Sequence, residues 1–486
     1  MTSSFPSPGE GGREGSGEGP GVRASGRGDR SAKPAPILLR LARLVLKAFF
    51  REVEVVGAER IPTDRPLVLI ANHVNGLIDP LLLVEPLPVH PRFLAKSTLW
   101  KHPLVRPFLT LAGAIPVYRR QDEGSDLSKN AEMFARSHDL LGEGGALALF
   151  PEGGSHNEPS LLPLKTGAAR IVLDAERKYP GLGTRIVPIG LLFDSKEAFR
   201  SRALIQVGQP IDPAPEVAKA AADPQGAVRD LTDRMDDGLK DVTLNYETWE
   251  DARLIARAAD LYRHRSSRLP TRGRLSEGFS FRKAFLQGYL DLRRSHPEEV
   301  AAAARCVKEY DDLLRAANLR DDQVGAAYPR SPVVLFVART FLHLLVHLPL
   351  AAIGTLLNYP LYRLVGAVVK RLNRQPDQIA TYKMMGALFL FPLSWIVEGF
   401  LAAHYWGKHM GEGGTWIGLA VALLAPLTGY VALLFHDRRA IFWHEARAYL
   451  LLRTRRRLAE ELKKRREAVL RQVEELADLY QSGERR

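Results

Sequence analysis

The sequence predicts an α/β domain, a mixed β-sheet flanked by helices, followed by a helical region, transmembrane helices and a C-terminal helix. Three observations predict it. Strand-like and helix-like stretches alternate over residues 52–215, the pattern of an α/β layer. Long apolar stretches follow at 333–358, 384–406 and 415–435. A chain of 486 residues, 46% hydrophobic and 25% charged, is long enough for a core plus added modules.

The same composition excludes several classes. A globally disordered chain would be poorer in apolar residues. Cys306 is the only cysteine, so no disulfide framework holds the fold. Sixty-eight Lys and Arg against 55 Asp and Glu give +13, which favours anionic partners. The basic residues concentrate beside the apolar stretches and in the tail, without interleaved aromatics, which argues for membrane lipids and against nucleic acid. Mean hydropathy is −0.13, an average over sharply different regions.

Residues 1–36 are Gly, Ser and Pro rich and read as a disordered tail without a secretory pattern. Residues 37–51 read as an amphipathic helix. Arg40, Arg43, Lys47 and Arg51 share one face, which suits an in-plane helix against lipid phosphates or a helix packed on its own domain. Strands are expected at 52–56, 66–71, 113–118, 146–150, 185–193 and 203–207, with helices notably at 126–142 and 165–178. Residues 216–328 read as a helical module without evident chemistry.

The membrane region is expected at 329–436. Stretches 384–406 and 415–435 read as transmembrane, with Glu398 needing a partner in the first of them. Stretch 333–358 carries Arg339, His343, His347 and Pro349, and reads as re-entrant or interfacial, bent near Pro349. That topology keeps the basic connection 361–383 and the basic tail on the cytoplasmic side, together with the α/β domain. Residues 437–486 read as one charged helix. Leu458, Leu462, Val469, Val473, Leu476 and Tyr480 permit a homo-oligomeric coiled-coil contact or packing on the same chain.

The sharpest local signal is Asn72-His73-Val74-Asn75-Gly76-Leu77-Ile78-Asp79-Pro80, directly after an apolar strand. A histidine at a strand end faces a cleft, and its imidazole suits proton transfer. A carboxylate on its other ring nitrogen fixes the tautomer. Residues six apart do not meet on a straight helix, but Asn75-Gly76 is a turn signal that can fold Asp79 back. Further blocks follow in order. Gly113–Arg120 ends a strand in Arg119 and Arg120, which suit phosphate. Phe150-Pro151-Glu152-Gly153-Gly154-Ser155-His156 ends another strand with glycines that admit a ligand. Leu164–Arg170 opens a helix with Lys165 near its N-terminus, and Val187-Pro188-Ile189-Gly190 lies in a later strand. No zinc-site spacing and no nucleotide-binding glycine loop are present, so neither metal nor cofactor is expected.

Together these blocks resemble the glycerolipid acyltransferase family, over residues 52–215. Five residues separate His73 from Asp79 where the family usually has four. The longer spacing, Asn75, and the stretch 150–164 resemble the fungal glycerol-3-phosphate/dihydroxyacetone-phosphate acyltransferases. The resemblance implies that His73 is general base on an acceptor hydroxyl and Asp79 orients it. It implies substrate contacts from Asn75, Arg119, Arg120, Glu152, Gly153, Lys165 and Pro188. A carboxylate repels phosphate, so Glu152 better suits orienting Arg119 or a hydroxyl. The implied donor is acyl-CoA or acyl carrier protein. The implied acceptor is a glycerol phosphate or a lysophospholipid. Direct transfer needs no acyl-enzyme, so Ser155 and Cys306 are expected to be dispensable. A non-catalytic membrane scaffold binding lipid headgroups is the alternative. A serine hydrolase would need a Gly-x-Ser-x-Gly elbow, absent near the strand ends.

Overall fold

A computed structural model describes residues 36–101, 105–119, 126–196, 198–263, 273–324, 330–372 and 376–484. The expected tail up to residue 35, and Arg120, lie outside these residues.

Helix α1 (Pro36–Phe49) runs straight into strand β1 (Phe50–Val56). Then come β2 (Leu67–Ala71), α2 (Ile78–Val84), β3 (Arg92–Lys96), α3 (Arg106–Leu111) and β4 (Ile115–Val117). Next are α4 (Asn130–Gly142), β5 (Ala146–Leu149), α5 (Gly167–Lys178), β6 (Arg185–Phe193) and β7 (Ser201–Val207). Helices α6 (Ala214–Lys219) and α7 (Pro224–Val242) complete the layer. The seven strands form one sheet in the order β1-β7-β6-β2-β5-β3-β4. Only β6 and β7 pair antiparallel; every other neighbouring pair is parallel.

Strand β2 sits at the centre, and all five of its residues are buried. A strand covered on both faces reads as an unbroken apolar run, as LVLIA does. On one face Leu67, Leu69 and Ala71 pack with Leu46 and Phe49 of α1 and with Ile78, Leu82 and Leu83 of α2. On the other, Val68 and Ile70 pack with α4, α5 and α7 through Leu141, Ile171 and Leu239. Strand β3 was not among the expected strands. Its five residues RFLAK begin and end in a charge, which hides an edge-side strand from a hydrophobicity pattern.

Helices α8 (Trp249–Arg263), α9 (Leu275–Ser295), α10 (Pro297–Ala317) and α11 (Asp321–Val324) build the module after the sheet. Three long helices follow: α12 (Arg330–Leu372), α13 (Pro376–Met410) and α14 (Gly413–Thr454). The last is α15 (Arg456–Glu484). The chain expected as one helix over 437–486 therefore breaks at Arg455, where α15 leaves α14 to pack on the module. The seam that could have served a second copy is filled by the chain itself. Leu462, Val469 and Val473 are buried against Leu261 of α8 and Val307, Tyr310 and Leu314 of α10. Within this core Arg466 Nε donates to Asp321 Oδ1 at 2.9 Å, and the Tyr310 hydroxyl donates to the same oxygen at 2.9 Å.

Segments Val337–Arg371, Thr381–Met410 and Gly413–Thr454 are each long and apolar enough to cross a bilayer. The bend expected near Pro349 is replaced by an unbroken helix that contains both Pro349 and Pro360. A proline removes one helix hydrogen bond, and neighbouring helices in an apolar bundle compensate for it. Small residues let these helices approach closely. A Cβ built on Gly399 would lie 2.7 Å from Gly418 O, and one built on Gly354 would meet the backbone of Thr428 and Gly429. Asn358 of α12 accepts from Trp395 Nε1 of α13 at 2.8 Å. Outward, Phe341, Leu356, Phe400, Trp416 and Leu423 stand exposed, a surface that only hydrocarbon solvates without penalty.

Candidate active site

The parallel strands end at one edge of the sheet, where α/β folds carry their ligand crevices. Strands β2 and β5 are neighbours, so the segments after them, 72–79 and 150–156, emerge side by side.

After β2 the chain turns at Asn75-Gly76, with Gly76 at φ 30°, and starts α2 at Ile78. The turn and the first helical residues bring Asp79 back under His73. His73 Nδ1 lies 2.9 Å from Asp79 Oδ2, and the same oxygen accepts from Val74 N at 2.9 Å and Asn75 N at 2.7 Å. An acceptor-only carboxylate requires the proton on Nδ1, so Nε2 presents its lone pair. Among the described residues Nε2 has no hydrogen-bond partner. The Asp79 side chain is fully buried while that of His73 keeps 14% exposure, so the ring alone meets the surface. Phe150 stacks on the imidazole with centroids 4.0 Å apart and planes 14° from parallel. The ring is thus held by its edge and by one face.

Glu152 occupies a different place from the one the resemblance implies. Its side chain is fully buried. Oε1 accepts the His73 backbone N–H at 2.8 Å, and Oε2 accepts Leu162 N at 2.9 Å and contacts His156 Nε2. His156 N donates to His73 O at 3.1 Å, so the two segments are laced together in both directions. Both carboxylate oxygens are spent inside the protein, on His73 and His156 rather than on a surface cleft. His156 stands in the quoted block, four residues after Glu152, yet only the fold reveals its part.

Asn75 is also buried, with Nδ2 donating to Lys196 O at 2.9 Å. Lys196 in turn donates from Nζ to Val74 O at 3.3 Å and His156 O at 3.4 Å. This lysine lies in the β6–β7 connection, more than a hundred residues from the turn it braces, and no local pattern marks it. Gly153 has φ 82°, a left-handed conformation that glycine adopts without strain. The Lys165 side chain lies where a Cβ on Gly153 would sit, with Cε 2.6 Å from that position. A Cβ on Gly154 would lie 3.8 Å from Arg119 Nη1. Arg119 and Lys165 therefore converge on the two glycines beside the His73 segment. Pro188 does not join them. It lies in β6 opposite Ile70, on the α7 face, where a Cβ on Gly208 would be 2.9 Å from its Cγ. Arg120 lies outside the described residues.

Residues 52–192 match the family model described as Acyltransferase, and residues 254–481 match Glycerol-3-phosphate acyltransferase 2 C-terminal domain. Glycerol-3-phosphate O-acyltransferase 1 of Saccharomyces cerevisiae is 27% identical over 318 residues, covering 61% of this chain and 41% of its own length. Glycerol-3-phosphate O-acyltransferase 2 of the same yeast is 28% identical over 291 residues, covering 56% and 38%. The chain thus spans about two fifths of the length of these curated relatives. The 1-acyl-sn-glycerol-3-phosphate acyltransferase alpha of Ovis aries is 33% identical over 140 residues, covering 29% of this chain and 47% of its own length. Residues 52–192 are thus similar to the acyltransferase family, and residues 254–481 of the same chain are similar to a C-terminal domain of the glycerol-3-phosphate acyltransferase 2 type.

Proposed function

We propose that the chain is a membrane-bound O-acyltransferase that moves a fatty acyl group from an acyl thioester to a hydroxyl of a glycerol phosphate. Glycerol 3-phosphate is the leading acceptor and 1-acylglycerol 3-phosphate the next. The observation that carries the reading is the 2.9 Å contact between His73 Nδ1 and the buried Asp79 carboxylate, which leaves Nε2 as a base at the protein surface.

In this reading Nε2 takes the proton of the acceptor hydroxyl as its oxygen attacks the thioester carbonyl. The new C–O ester bond forms, the C–S bond breaks, and the thiolate leaves, taking the proton back as thiol. Asp79 holds the imidazole in the required tautomer and stabilises the imidazolium. Arg119 and Lys165, drawn to Gly153 and Gly154, supply the positive charge for the acceptor phosphate.

Membrane topology fits the chemistry, since acyl chains partition into lipid. Two ends of α12 lie against the same body. Before it, Arg320 pairs with Glu445 at 2.7 Å and Asp321 with Arg466 at 2.9 Å. Towards its end, Tyr362 packs on Phe199 of the sheet domain at 5.7 Å between ring centroids. Helix α14 returns to that domain where Asp437 meets Arg200 at 2.9 Å. These contacts support two crossings, α13 and α14, with α12 lying in the interface. The basic flanks then keep the catalytic domain on the cytoplasmic side. The reading is tested by supplying the full chain in vesicles with labelled acyl-CoA, then with acyl carrier protein thioester, and a panel of acceptors. A new ester on glycerol 3-phosphate or 1-acylglycerol 3-phosphate is expected. Binding of these acceptors without any ester product would favour the scaffold.

A further inference from the structure

The turn that carries His73 and Asp79 is tied to a membrane helix. Leu77 occupies the position before α2, and α2 has no side-chain cap of its own there. The first helical amides, Ile78 N and Asp79 N, donate to Asn75 O at 3.0 and 3.3 Å. The Leu77 N–H instead donates to Thr381 Oγ1 at 2.9 Å, across 304 residues of sequence. Thr381 opens the apolar segment of α13. Three residues on, Met384 of α13 is 6% exposed and packs in the same core as Ile78, Leu82 and Leu83 of α2. So α13 enters the sheet domain twice, once by a hydrogen bond at the catalytic turn and once by an apolar anchor beneath it.

We propose that Thr381 is a positioning residue for the catalytic turn, so that the seating of α13 in the bilayer and the placement of His73 over Asp79 are coupled. The turn is fixed from three directions. Asp79 Oδ2 closes it from within, Lys196 holds Asn75 from the β6–β7 connection, and Thr381 holds Leu77 from the membrane side. The first two holds belong to the sheet domain. Only the third links the turn to the lipid phase that delivers the acyl chain. Thr381 touches no reacting atom in this account. It acts through the Leu77 amide, and hence on the start of α2 and the position of Asp79. The inference rests on the reading of His73 and Asp79 as the catalytic pair.

Its test compares Thr381→Val and Thr381→Ser in the full chain, in phosphatidylcholine vesicles, with labelled acyl-CoA and glycerol 3-phosphate. Valine keeps the shape and removes the acceptor; serine keeps the acceptor. Loss of one hydrogen bond predicts a fall in kcat of about tenfold for the valine variant, with KM for both substrates unchanged within about twofold. The serine variant should stay within about twofold of wild type in both constants. Hydrogen exchange of amides 74–79 should quicken in the valine variant alone, while β2, β5 and β6 keep their protection. Unchanged kcat and unchanged exchange at 74–79 in Thr381→Val would overturn the proposal. So would equal losses in both variants with exchange raised across the sheet, the mark of a general packing defect. Wild-type transfer by His73→Ala would sink the catalytic reading, and the exchange result would still decide whether Thr381 holds the turn.

Discussion

Replacing His73 by alanine lowers the acyl-transfer rate by about 10²- to 10⁴-fold, the usual contribution of a positioned general base. The fold survives, because the ring lies at the surface end of β2 with 14% of its side chain exposed. What is lost locally is one hydrogen bond to Asp79 and one stack on Phe150, together about 1–3 kcal/mol. Asp79→Asn separates orientation from basicity. It keeps the volume but places an amide against the Val74 and Asn75 N–H groups or against Nδ1. Activity and the order of the turn should both fall in that variant, whereas His73→Ala costs activity with little change in exchange over 74–79. The check is a rate measurement beside amide exchange on the same samples. An alanine variant that transfers acyl groups at the wild-type rate removes the base from the account.

Glu152→Gln carries the second large effect, and it discriminates between two roles. If this side chain held the acceptor, the loss would appear as a raised KM for glycerol 3-phosphate. The structure buries both oxygens on His73 N, Leu162 N and His156 Nε2. Glutamine can supply one acceptor oxygen, and its NH₂ then faces a donor. An unsatisfied buried donor costs about 1–3 kcal/mol, so kcat should fall roughly 10- to 100-fold while KM for the acceptor holds. The exchange of amides in both segments, 72–79 and 150–162, should rise together, since Glu152 bonds to both of them. A raised KM with kcat intact would return Glu152 to the substrate.

The sheet was largely legible because central parallel strands are written as apolar runs, LVLIA and ALAL among them. Strand β3 escaped because RFLAK carries its charges at both ends. The order of the blocks marked the family, and the pair His73 and Asp79 was readable from residue type. Their meeting was not, since a spacing of six joins them only through the bend at Asn75-Gly76 and the first turn of α2. Glu152, Asn75 and Pro188 were readable as members of motifs but not as buried or turned away, because burial is decided by chain segments far from each motif. Lys196 and Thr381 had no local signal at all. Each bonds to the turn after β2 from more than a hundred residues away. The apolar seam of α15 was visible, and its occupant was not: a heptad pattern says that a face is covered, and α8 and α10 do the covering.

The most direct measurement follows the acyl label in time. The full chain in vesicles receives labelled acyl-CoA without acceptor, and glycerol 3-phosphate is added afterwards. Direct transfer assisted by His73 predicts that the label stays on the thioester until the acceptor arrives, then passes to it in a single step, with Ser155→Ala and Cys306→Ala behaving as wild type. Label fixed covalently to the protein before any acceptor is present would contradict it.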